Sequence, residues 1–207
     1  VLTKQIVRFL EDGEDFSPLV FFFDNVQQNP NEHSQEQLYE WLDRRDFTIT
    51  DDGMIVGYKS VDSAGDDEFL SISQGKAIVN GQVQQGRIRQ AIGDVVEMPR
   101  SEVEWDPSVG CHRGLHVGTW DYAKNFSGDT MLEIHVNPRD VVSVPTDCDA
   151  AKVRCCRYTV VDVLDKPYSS ALRRTTYYEP VSTAWGEAEE CWSCGGYVDQ
   201  NGECDCD

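Results

Sequence analysis

The sequence predicts an α+β protein, with N-terminal helices packed on a mixed, largely antiparallel sheet and a small cysteine knuckle at the C-terminal end. Three observations predict it. Apolar residues recur with helical spacing up to about residue 46, the period changes to two from Phe47 onward, and four of the eight cysteines fall within residues 191–207. These divide the chain into a body over 1–165 (helical section 1–46, sheet section 47–165), a linker over 166–190 and a knuckle over 191–207.

Leu2, Ile6 and Leu10 share one face of a first helix, flanked by Val7 and Phe9, and Gly13 stops it. Ser17-Pro18 supplies an N-cap followed by proline at the first helical position, and the apolar run Leu19 to Val26 forms a second helix that Pro30 ends. Ser34 with Gln37 three residues on reads as a capping box for a third helix, whose buried stripe is Leu38, Tyr39, Trp41 and Leu42. Each helix is too short to stand alone, so the three must pack on one another or on the sheet.

Thr48–Thr50, a glycine-containing turn at Asp51–Gly53, and Met54–Lys59 read as strand, turn and strand. Asn80-Gly81 is a hairpin signal, since both residues tolerate positive φ, and its polar surroundings from Gly75 to Gly86 predict an exposed flap. Further strands are expected at Leu115–Val117, Leu132–Val136, Val141–Val144 and Val153–Val163, with a short helix at Asp121–Phe126. Leu132, Ile134 and Val136 alternate with Glu133 and His135, the pattern of a strand with one wet face. Lys166 to Glu190 has no periodicity and carries two prolines and an acidic cluster, as linkers do.

Composition excludes several classes. With 37 acidic against 18 basic residues the formal charge is −19, so general nucleic-acid binding is disfavoured. The apolar run Leu19–Phe23 is far short of the ~20 residues that span a bilayer, and no basic amphipathic helix reaches for a membrane surface, so membrane contact is expected only through a partner. Val1-Leu-Thr-Lys lacks the layout of a secretory signal, which makes an intracellular setting the expectation.

Cys191, Cys194, Cys204 and Cys206, as Cys-x2-Cys and then Cys-x-Cys, can surround one structural zinc ion. The second pair is one residue tighter than usual, and two disulfides are the alternative. Vicinal Cys155 and Cys156 lie among Lys152, Arg154 and Arg157, which would lower a thiol pKa; as strand neighbours, one should face the core and the other outward. The densest functional stretch is Gly110–Val117, where His116 could share a cleft with His135 and with Tyr122 on the intervening helix. Gly114 between His112 and His116 argues against a helical metal pair, so hydrogen-bonded histidines are expected there.

Five motifs in one order carry a resemblance. Leu38-Tyr-Glu-Trp-Leu42, then Thr50–Gly53 with Gly57-Tyr-Lys59, Gly93–Arg100, Gly114-Leu-His116, and Val136–Pro145 followed by Arg154–Tyr158 are similar to the RIIB-like proteins of tailed bacteriophages over about residues 2–164. The resemblance implies a phage accessory protein of the infected cell, in the host cytoplasm or peripheral to the inner membrane, working with an RIIA-like partner in lysis timing and resistance to exclusion systems. Larger members carry an N-terminal helix-turn-helix-like region without a counterpart in these residues, so no DNA-binding role is carried over. A second resemblance, to ADP-ribosyltransferase-like folds, rests on a Tyr-Lys strand, a Gly-Leu-His strand, a short helix with Tyr122 and an apolar strand. It implies an NAD or nucleotide site at Tyr58, Lys59, His116 and Tyr122, either enzyme or ligand sponge, with Glu133 as the only placed acid. No nucleophile–base–orienter set is visible, so no catalytic residue is assigned. Binding of a host or phage protein without turnover is the leading expectation, with the nucleotide domain and a virion decoration protein as alternatives.

Overall fold

The computed structural model describes residues 3–44 and 47–175, and these bear out the α+β class. Three helices, α1 (Thr3–Glu11), α2 (Ser17–Gln27) and α3 (Glu32–Arg44), precede the strands. The strands are β1 (Thr48–Thr50), β2 (Ile55–Gly65), β3 (Glu68–Val79), β4 (Gln82–Ala91), β5 (Val95–Glu97), β6 (Leu115–Gly118), β7 (Thr130–Val136), β8 (Val141–Ser143), β9 (Lys152–Cys155), β10 (Arg157–Val163) and β11 (Leu172–Arg173), with helix α4 (Trp120–Ala123) after β6. All pairings are antiparallel except that of β1 with β11. Leu2, the side chain of Leu42 and the cysteine knuckle lie outside the described residues.

Pairings of β2 with β3, β3 with β5, β5 with β10, β10 with β7 and β7 with β2 close a ring of five strands. Its interior holds Val61, Leu132, Ile134, Val96, Tyr158 and Val160, each nearly devoid of solvent contact. Closure removes the exposed edges that a flat sheet would present. From β2 the sheet continues through β6 and β9 to the edge strand β8.

The helices cover this extension. Phe9, Leu19, Phe22, Val26, Leu38 and Trp41 join Ile49, Ile55, Val136, Val141 and Val153 in one apolar core. Phe47 anchors the junction, stacked on Trp41 at 4.8 Å between centroids and 5.8 Å from Phe22. On α1 the buried residues are Gln5 and Phe9, Ile6 packs against the core as expected, and Leu10, expected on the same face, is 61 % exposed. The cap of α2 falls on Phe16, with Ser17 donating to Asp15 instead. The expected capping box of α3 is also reassigned. The helix begins at Glu32, Ser34 Oγ donates to Val142 O (2.7 Å) and Gln37 Oε1 accepts from Val144 N (2.8 Å). These two polar side chains therefore occupy the free edge of β8, which would otherwise invite pairing with another chain.

Four strand expectations are corrected. The Asn80-Gly81 turn is present, with φ of 48° and 80°, and its surroundings are largely exposed as expected, but it joins the long strands β3 and β4, and Ala77 and Val79 on β3 are buried, so the region is a regular hairpin and no loose flap. The run Val153–Val163 is two strands broken at Cys156. The face of β7 expected to be wet holds Glu133, which is fully buried. The first residues of the expected linker belong to the body, since β11 extends β1 with Ile49 opposite Leu172.

Glycines 53 and 81 both have φ near +80°, but only Gly53 is crowded: a Cβ there would lie 2.2 Å from the backbone nitrogen of Phe22 on α2, while Gly81 has nothing within 4 Å. Gly81→Ala is expected to cost about 1–2 kcal/mol of backbone strain. Gly53→Ala adds a clash with the helix and is expected to cost ~3 kcal/mol or more. Urea unfolding of the two variants side by side measures the difference; equal losses would show that the β1–β2 turn does not pack on α2.

Candidate binding cavity and a buried carboxylate cluster

The ring has a gap. One edge of β2 pairs with β7 along Ile55–Val61. The other passes from β1 at Ile55–Val56 to β6 at Tyr58 and then to β3 from Val61. On the facing side, β3 bulges between Leu70 and Gln74; it pairs with β2 up to Ser71 and with β5 from Ile78, which leaves 72–77 without a strand partner on that edge. A cavity of about 480 Å3 fills the gap.

Tyr58, Lys59, His116 and Tyr122 all line it, so the structure brings the four sequence-assigned residues together. Lys59 supplies the cation. Its Nζ donates to His116 O (3.3 Å) and lies 5.8 Å from the centroid of Tyr158. Burial pulls its pKa below the usual lysine value, and it makes no ion pair among the described residues. Burial, together with the positive charges of Lys59, Lys152 and Arg154, lowers His116 to about 4, so its ring is neutral at pH 7. His116 Nε2 is shielded from solvent and has no hydrogen-bond partner among the described residues. Tyr122 meets Phe126 edge-on at 5.3 Å, and its ring lies over Gly118, where a Cβ would come within 2.4 Å. Tyr58 belongs partly elsewhere, because its hydroxyl accepts from the backbone N–H of Tyr168 (3.0 Å).

Two buried cations shape the surroundings. Arg154, fully buried, donates to the carbonyls of Asp106 (3.1 Å), Val109 and Gly110 and to Ser143 Oγ (3.1 Å), which fixes the loop leading to His112. Lys152 pairs with Asp147 (2.9 Å) and lies 5.6 Å from the centroid of Tyr122. Sequence reasoning missed both as site-shaping residues; each stands on β9 in a stretch that reads only as a basic strand.

His135 does not share this cleft. Neighbours on a strand alternate in direction, and β7 sends Leu132 and Ile134 into the core while Glu133 and His135 face the other way, where Glu133 is opposite Tyr58. Glu133 Oε1 is 2.7 Å from His135 Nε2 and accepts from Arg173 Nε (3.0 Å), while Oε2 accepts from Tyr168 OH (2.9 Å). This carboxylate therefore ties the 166–174 segment to the sheet, and no Asp or Glu lines the cavity, which deprives the transferase-like reading of its acid. Of the vicinal thiols, one lies in the core as expected, but the lowered pKa is corrected. Cys155 is buried and Cys156 half-buried, and burial raises both above the ordinary thiol pKa, the reverse of activation. Cys191, Cys194, Cys204 and Cys206 are not among the described residues.

The family model described as "Bacteriophage T4 protein rIIB" matches residues 1–171. The chain is similar to Protein rIIB of Enterobacteria phage T4, at 33% identity over 163 residues, covering 78% of this chain and 47% of the relative. It thus spans about half the length of the curated relative it matches. No solved structure matches it.

Burial alone would raise the pKa of Glu133, but hydrogen bonds from His135 and Arg173, the charge of His135 and the Tyr168 hydroxyl carry it below the ordinary glutamate value. A depressed folded pKa means that the contribution to stability is complete above the unfolded value and is lost as pH falls through the folded one. Amide protection in 166–174, taken relative to the intrinsic exchange rate at each pH, should therefore fall on acidification below about pH 4.5, and Glu133→Gln should show lower protection at neutral pH with that pH dependence flattened. An unchanged acid profile in the variant would remove Glu133 as the tie.

Proposed function

The chain belongs to the family of the bacteriophage T4 protein rIIB, and on that premise we propose that it is a phage accessory protein that acts in the infected cell by binding a host or phage protein, without turnover. The setting is lysis control or counter-defence, and the resemblance to RIIB-like proteins implies an RIIA-like partner. The observation that carries this reading is the outer surface of α1 and α2. Val7 and Leu10 on α1, Phe16 between the helices, and Val20 and Phe21 on α2 are 39–61 % exposed. Half of the large apolar side chains left exposed among the described residues fall in this one short stretch. Each helix already buries its other face, in Phe9 on α1 and in Leu19, Phe22 and Val26 on α2. Exposed apolar side chains concentrated in one stretch of chain in this way suit a protein-binding surface. No helix among the described residues is long and apolar enough to cross a membrane, so contact with the inner membrane is assigned to the partner.

Tagged wild-type chain and a Val20→Glu/Phe21→Glu variant, each expressed during infection, should differ in one co-purifying protein, captured by the first and lost at least tenfold with the second, at equal thermal stability. Identical capture by both would overturn the assignment of this surface, and recovery of the chain in purified particles would move the reading to a virion component.

We further propose that Cys191, Cys194, Cys204 and Cys206 hold one structural zinc, since four thiolates at this spacing suit a tetrahedral ion and a segment this short lacks apolar surface to fold by itself. Protein purified reduced and without chelator should carry one zinc per chain by elemental analysis, and a quadruple Cys→Ser variant none. A content well below one would favour disulfides or free thiols.

A further inference from the structure

We infer that the cavity in the ring is a binding site for a nucleotide, a small ligand in which a phosphate group meets Lys59 and a flat ring meets Tyr122 and Phe126. This inference is independent of the partner-binding surface on α1 and α2.

The first support is charge. Acidic residues outnumber basic ones 37 to 18 in the chain, yet the cavity is lined by Lys59 and Lys76, by Arg113, which is paired with Glu102, and by no Asp or Glu. A local reversal of sign against so acidic a background marks a place that attracts an anion which the rest of the surface repels. The second is Lys59 itself. It is half-buried, its ammonium donates to one carbonyl and lies near one aromatic ring, and among the described residues it has no ion-pair partner. A buried charge is held at a cost unless an opposite charge meets it, and the cavity is the open side from which one can arrive.

Third, the wall opposite Lys59 is the unpaired edge of β3 over 72–77. An edge without a partner strand presents backbone N–H groups, which serve phosphate oxygens well. Fourth, Tyr122 and Phe126 form an aromatic pair beside the cavity, and Phe126 remains 43 % exposed. An exposed phenyl next to a charged cavity is a stacking platform for a planar ring. The volume of about 480 Å3 lies within the range of small-ligand pockets and is too small for a polymer. His116 provides an internal reporter. Its ring titrates near 4 because of burial and the surrounding positive charge, so an anion placed beside Lys59 must raise that value.

Calorimetry with the full chain would use ADP, GDP, UDP, CDP and NAD as probes, with adenosine and inorganic phosphate as fragments. At least one nucleotide should bind, with both fragments at least tenfold weaker, and saturation with that nucleotide should shift the His116 imidazole titration upward by NMR. Lys59→Met should lower the affinity at least tenfold without lowering the unfolding temperature, because it removes a half-buried charge that has no ion-pair partner among the described residues. Phe126→Ala, at an exposed position that leaves the core intact, should weaken binding several-fold. Absence of binding by every nucleotide would overturn the proposal, as would phosphate binding as tightly as any nucleotide. Affinity unaltered in both variants would place the ligand elsewhere and overturn it equally.

Discussion

A β-strand has two edges, and β2 gives one of them whole to β7 while dividing the other among β1, β6 and β3. Most of what distinguishes this molecule follows from that division. Where β2 leaves β6 for β3, two sheets diverge that share one strand, and backbone pairing cannot bridge the angle between them. The bulge in β3 widens the opening, and the side chains at the seam, Lys59 from β2 and His116 from β6, are left beside a cavity when a continuous sheet would have covered them. The same division puts Tyr58 and Glu133 on the opposite face, where the returning 166–174 segment buries them.

Much of the helical section was legible because its signals are local. Pro18 and Pro30 bound α2, and the run from Leu19 to Val26 identifies it. The Tyr-Lys and Gly-Leu-His strands were legible too, which is why Tyr58, Lys59, His116 and Tyr122 could be grouped before any coordinates. What escaped was non-local. Glu133 reads as solvent-facing in a strand of alternating character; its burial depends on Tyr168 and Arg173, 35 and 40 residues further on, in a stretch whose composition resembles a linker. Ser34 and Gln37 fit a capping pattern, but the edge of β8, more than a hundred residues away, offered them stronger use. The long strands β3 and β4 were hidden because their middle is polar and bulged, so period two breaks off where the cavity begins.

Polar side chains carry much of the specificity in the helical layer. Asn29, fully enclosed, donates to Pro138 O (3.0 Å) and Val141 O (2.7 Å), and its own oxygen accepts from Arg100 (2.7 Å). Trp41 adds an indole N–H to Ala150 O (2.8 Å). Apolar contact alone would let the helices slide on the sheet, whereas these bonds are satisfied in one register only, and an unsatisfied buried group is costly. The outer faces of α1 and α2 are free of such commitments, so a partner can dock there without disturbing how the helices are held.

The closed ring also dictates an order of assembly. Its strands are far apart in the chain: β2 is among the first made and β10 among the last, with β7 between them. On the ribosome β2 and the β3–β4 hairpin emerge long before the strands that complete the circle, and until then their apolar faces and open edges have no native partner. Such non-local pairing is slow to form and open to mispairing in the interval. The last of the ring's strands to emerge, β10, therefore acts as its fastener, and a message truncated before Arg157 would release a chain that cannot close.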